Sequence, residues 1–138
     1  MRRLKRFMAL AGLLVLGSCN SNTTPTSPAF CVSLTGQYTG VFTDSCGLSK
    51  TEDVTLFQTS CAVVAQFPAV GSLQGTVDGQ TLVFAIGFAD ISPCGGSASG
   101  SATVTSSGGL NGTYRGQATG TGATCCGNVS GTFTLTRR

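Results

Sequence analysis

Leu34-Thr-Gly36-Gln-Tyr38 returns as Leu73-Gln-Gly75-Thr-Val77, as Leu110-Asn-Gly112-Thr-Tyr114 and as Val129-Ser-Gly131-Thr-Phe133. Each copy reads aliphatic, polar, glycine, polar, then aromatic or Val. A period of two is the signature of a strand with one buried face. Glycine falls on the apolar parity in all four copies. A glycine there weakens a flat strand but permits the coiling that lets a sheet curl.

The same alternation extends outward from these copies and predicts eight strands, over residues 35–43, 51–58, 61–68, 72–78, 80–89, 98–106, 109–118 and 128–136. The apolar parity runs through Tyr38 and Phe42, Val54 and Leu56, Val63 and Phe67, and Leu82, Phe84, Ile86 and Phe88. It ends on Tyr114, Phe133 and Leu135. The other parity is mainly Thr, Ser and Gln. Links such as Asp78-Gly79, Ser107-Gly108-Gly109 and Val70-Gly71-Ser72 are turn-like, so neighbours in sequence pair antiparallel. The fold class is all-β, and an eight-stranded up-and-down barrel is its simplest closed form; a β-sandwich is the alternative. Outward residues are polar, which argues against a barrel that spans a membrane.

Composition agrees. The chain has 138 residues, enough for one folded domain, with 20 glycines, no Trp and no His. Only 9% of residues are charged. Arg2, Arg3, Lys5 and Arg6 supply half of the cations and all precede residue 19. From there on, Lys50, Arg115, Arg137 and Arg138 face Asp44, Glu52, Asp53, Asp78 and Asp90, a net charge of −1. Such a surface offers nothing to nucleic acid.

The basic start is followed by an apolar run, Phe7 to Leu16, that is too short to span a bilayer as a lone helix and suits an export signal. It closes on Leu16-Gly17-Ser18-Cys19, which resembles the lipobox of bacterial lipoprotein signal peptides. The resemblance implies a signal helix over residues 1–18 that is removed. It also implies a Cys19 whose thiol carries diacylglyceryl and whose amine is acylated, an arrangement that anchors stably. Residues 19–33 then form the lipidated cysteine and a flexible tether rich in Ser, Thr, Asn and Pro. Residues 34–138 form the barrel. Asn20 stands where the family's inner-membrane retention Asp would be, which resembles an outer-membrane destination. The implied location is the bacterial cell envelope.

Seven cysteines are present, and six remain once Cys19 is set aside. An even count in an exported domain reads as three disulfides. Alternate loops of a meander lie at opposite ends. Cys31 and Cys61 share one end; Cys46, Cys94, Cys125 and Cys126 share the other. A bond needs Cα atoms within about 7 Å. The expectation is Cys31–Cys61, with Cys46 and Cys94 each bonded to one of Cys125 and Cys126. No Cys-x-x-Cys pair or His points to a metal, and no cofactor is expected.

Residues 34–40 also resemble, loosely, the first strand of avidin and other calycin-type barrels. The biotin site of that family uses tryptophans, so the resemblance implies architecture alone. Two uses of such a barrel follow. One is a binding module for a partner protein or cell-wall component; Val41 and Phe57 on the polar face hint at a contact. The other is a carrier for a small apolar ligand, with Tyr38, Phe84 and Tyr114 lining a pocket. A hydrolase is a distant third, since no His is present to build a triad and no carboxylate pair stands out. Asp44, Glu52, Asp53 and Asp90 map towards one end, without the spacing of a calcium loop. The vicinal Cys125 and Cys126 are the one place for a labile thiol.

Overall fold

A computed structural model describes residues 30–68, 71–91, 94–120 and 125–138, with the side chains of 88–91 excepted. The signal segment 1–18, Cys19, most of the tether, Val70 and the side chains of Phe88 and Asp90 lie outside the described residues. Eight strands follow one another: β1 (Gly36–Asp44), β2 (Ser49–Thr59), β3 (Ala62–Phe67), β4 (Gly71–Asp78), β5 (Thr81–Ile91), β6 (Cys94–Val104), β7 (Leu110–Gly120) and β8 (Gly127–Arg137). Each pairs antiparallel with the next, and β8 pairs back onto β1, so the sheet is a closed barrel. The sandwich alternative is excluded.

The register sets the size of the barrel. One row of partners runs Thr43, Thr132, Thr113, Ser101, Val83, Thr76, Ala62 and Thr59. Carried across the β1–β2 register, it returns at Ser33, a stagger of ten residues from Thr43. With a rise of ~3.3 Å per residue and a strand spacing of ~4.7 Å, that stagger gives a tilt of about 40° and a backbone radius of about 8 Å. A cylinder of that radius is wide enough for one set of inward side chains.

The inward parity supplies them. Leu34, Tyr38, Phe42, Leu56, Phe67, Leu73, Phe84, Ile86, Tyr114, Phe133 and Leu135 are all buried. Four phenylalanines cross the interior from β3 to β5. Phe67 meets Phe42 edge-on at 5.3 Å, Phe42 stacks on Phe133 at 5.8 Å, and Phe133 meets Phe84 edge-on at 5.4 Å. These are favourable separations for aromatic pairs.

The inward glycines are the complement of those rings. A Cβ on Gly112 would overlap the Phe133 ring, and one on Gly131 would overlap the Tyr114 ring. Each glycine is a seat for an aromatic from a neighbouring strand, the pairing that rescues glycine in curled sheets.

Strand bounds match the alternation closely except at β6, expected from residue 98 and observed from Cys94. Gly95-Gly96-Ser97 reads as a loop because glycine carries no side chain to show parity. In the structure Gly96 pairs with both Phe88 and Ala118. The register shifts between Phe88 and Ile91, a bulge that lets β5 and β6 run on together.

Gly112→Ala should cost about 2 kcal/mol and lower the Tm by roughly 10 °C, because the new methyl displaces Phe133 from its seat. Thr113→Ala, one residue along on the outer face, should stay within about 0.5 kcal/mol. Thermal melts of the two variants followed by circular dichroism decide the matter; equal melting points would mean that the glycine is not a seat.

Candidate functional site

The barrel has two poles, and the six cysteines divide between them. At one pole Cys31 bonds Cys61, with Cα atoms 5.6 Å apart. At the other, Cys46 bonds Cys126 at 5.4 Å and Cys94 bonds Cys125 at 5.3 Å. The choice that sequence left open is thereby made. Cys94 does so from the first residue of β6 rather than from a loop. The vicinal pair Cys125 and Cys126 is fully committed to bonds.

The first pole is closed by the chain itself. Residues 30–35 run beneath the strands as a strap and not as free tether. Gly79 N donates to Phe30 O at 2.8 Å, and Val32 N donates to Gly79 O at 3.3 Å. Leu34 is fully buried and plugs the opening. Gln58, at the inward parity of β2, clamps the strap. Its Oε1 accepts from Leu34 N at 2.7 Å, and its Nε2 donates to Val32 O at 3.2 Å and to Ser60 O at 2.8 Å. Tyr38 donates its hydroxyl to Leu34 O at 2.8 Å. Arg137 adds a bond to Thr35 O at 2.9 Å.

The three residues expected around an internal ligand all take part in packing. Tyr38 is held against Leu34, Phe84 lies against Phe133, and Tyr114 lies over Gly131. Burial pushes the Tyr114 phenol up to about 12, with the negative charge of Asp44 adding to the effect. Burial raises Tyr38 as well, partly offset by Arg137.

The carboxylates do not converge. Asp44 Oδ1 accepts from Cys46 N and Leu48 N, both at 2.9 Å, and so shapes the β1–β2 turn. Asp53 stands on the outer face of β2 and forms an ion pair with Arg138. Among the described residues no three His, Cys, Asp or Glu side chains form a metal-binding group. Val41 and Phe57 do not form one contact either. Val41 stands opposite Thr51, six residues along β2 from Phe57. The apolar neighbour of Phe57 is instead Val64, directly across on β3.

The outer wall of β5 to β8 is a surface of hydroxyls. Thr43, Thr132, Thr113 and Ser101 lie in one row, and the Thr43 and Thr132 hydroxyls are 3.0 Å apart. Between Val83 on β5 and Thr113 and Arg115 on β7, the wall sinks into a depression of about 450 Å³ floored at Gly100. Neither this depression nor the Gln58 clamp is among the features expected from the sequence. Gln58 carried a signal, being polar at an inward position next to Leu56 in the pattern. No protein-family model, curated protein or solved structure was found to match this chain.

Both tyrosine protons are held more tightly in the folded protein than in the unfolded one. The stability they contribute is intact below about pH 10 and falls as pH rises above it, the Tyr114 share being lost towards about pH 12. In an alkaline titration followed by tyrosinate absorbance, both phenols should ionise above the range of the denatured chain, with Tyr114 last. Ionisation of either in the folded protein at the denatured value would contradict its burial.

Proposed function

We propose that this chain is a lipid-anchored protein of the bacterial cell envelope whose barrel is a binding module acting through its outer wall. One observation carries the choice of the outer wall. Gly112 and Gly131, which could have left room for a ligand, are covered by the Phe133 and Tyr114 rings, and a Cβ on inward Gly40 would meet Phe42 and Leu135. A barrel filled by its own side chains has its surface left with which to meet a partner. That surface is hydroxyl-rich and carries little charge.

The anchor reading rests on the Leu16-Gly17-Ser18-Cys19 resemblance and is supported by the form of the domain. Three disulfides suit an oxidising compartment outside the cytoplasm. The strap brings the chain out at one pole through Phe30, so residues 20–29 lead from that pole towards Cys19. Fully extended, such a segment reaches about 33 Å. A lipid at Cys19 then leaves the barrel wall clear of the headgroups and open to a protein or to a cell-wall component.

Cys19→Ala decides the anchor. Wild-type protein should fractionate with membranes and show the added mass of a diacylglyceryl and an acyl group on a mature chain starting at Cys19. The variant should appear in the soluble fraction, or keep its signal segment. Wild-type protein with an unmodified Cys19 thiol would refute the anchor.

A further inference from the structure

The depression over Gly100 has a definite chemistry. Along β6 the outward side chains include Ser97, Ser99 and Ser101, short enough to leave a trough between taller neighbours. Val83 stands on one side of Ser101 and Thr113 on the other; Arg115 stands beside Ser99. Val83 is 60% exposed and offers an apolar wall. Ser99, Ser101 and Thr113 offer hydroxyls that both donate and accept. The depression is shallow and open to solvent, with about 450 Å³ in which a ligand could lie.

Arg115 gives the depression its sign. It is exposed and makes no ion pair among the described residues. Among the described outward side chains of β5, β6, β7 and β8 it is the one that carries a charge. The acids whose side chains are described stand elsewhere: Asp44 in its turn, Glu52 and Asp53 on β2, and Asp78 at the end of β4. Residues 30–138 carry four cations against five acids, yet the described side chains of this wall place a positive charge at the depression.

We propose that this depression binds an acidic sugar unit of a polysaccharide. Arg115 takes the carboxylate through a charge-assisted, bidentate contact. Ser99, Ser101 and Thr113 take ring hydroxyls, and Val83 meets the C–H face of the ring. One guanidinium balances one carboxylate. A phosphate monoester, with nearly two charges, would need a second cation that the described side chains of this wall do not supply. The hydroxyl row continues from Thr113 through Thr132 to Thr43 and offers a track for neighbouring units of the chain. The proposal deepens the envelope-binding reading and rests on its choice of the outer wall.

The test uses mature protein extracted from membranes in detergent. The probe is fluorescein-labelled polygalacturonate, with labelled dextran as the neutral counterpart. Wild-type protein should bind the first and not the second, and added salt should weaken the binding. Arg115→Gln should reduce binding at least about tenfold, and Arg115→Lys should restore part of it. Ser101→Phe should fill the depression and abolish binding. Thr51→Val, on β2 across the barrel from the depression, should leave it unchanged. Equal binding of dextran, or binding that survives both Arg115→Gln and Ser101→Phe, overturns the proposal. Should Ser101→Phe fail to fold, the Arg115 pair still decides. The intact mass of the same preparation reports on Cys19 separately, so an unlipidated thiol would sink the anchor and leave the sugar result standing.

Discussion

Closure with a stagger of ten residues is the constraint on which the rest of this structure depends. It fixes a cylinder about 8 Å in radius, and every inward side chain must share that volume. Eight strands cannot all present large residues to so narrow an axis. The chain solves the crowding by alternation, placing Gly112 where the Phe133 ring lies and Gly131 where the Tyr114 ring lies. The repeated glycine-centred pattern is therefore a packing code as much as a bending device.

The rims are held by different means. One pole is plugged from within by Leu34 and strapped by Gln58, Tyr38 and Arg137 through bonds to strap carbonyls and the Leu34 amide. The opposite pole carries two disulfides that converge on Cys125 and Cys126. Each bond restrains the unfolded chain, and the one separating its partners by 80 residues does so most, by about 4 kcal/mol on loop-closure reasoning. A domain of this size with a glycine-rich core gains proportionately from such restraints.

Parity made most of the fold legible. Tyr38, Phe42, Phe84, Phe133 and their neighbours are inward because period-two alternation leaves them no other face. Disulfide partners were legible as far as the poles, since loop alternation assigns each cysteine an end. Which of Cys125 and Cys126 meets Cys46 was not, because adjacent residues differ by less than a loop's freedom. β6 was shortened in the reading because Gly95 and Gly96 have no side chain with which to declare a face. The depression was illegible for a related reason: it arises from the heights of side chains on three strands brought into register, and Ser99 and Arg115 are 16 residues apart in sequence. The strap was hidden by its position, since Phe30-Cys31-Val32-Ser33 directly follows the polar tether and precedes the first strand.

The Cys31–Cys61 bond also determines how this molecule transmits tension. A pull entering at the amino end reaches Cys31 before it reaches β1, and the covalent bond diverts it to the β2–β3 hairpin. The junction between β1 and β8, where the first and last strands meet, would otherwise be the place to unzip. It is sheltered further by Cys46–Cys126, which rivets the far end of that same junction. A chain pulled from its amino-terminal side can thus be tugged repeatedly without its first strand peeling away.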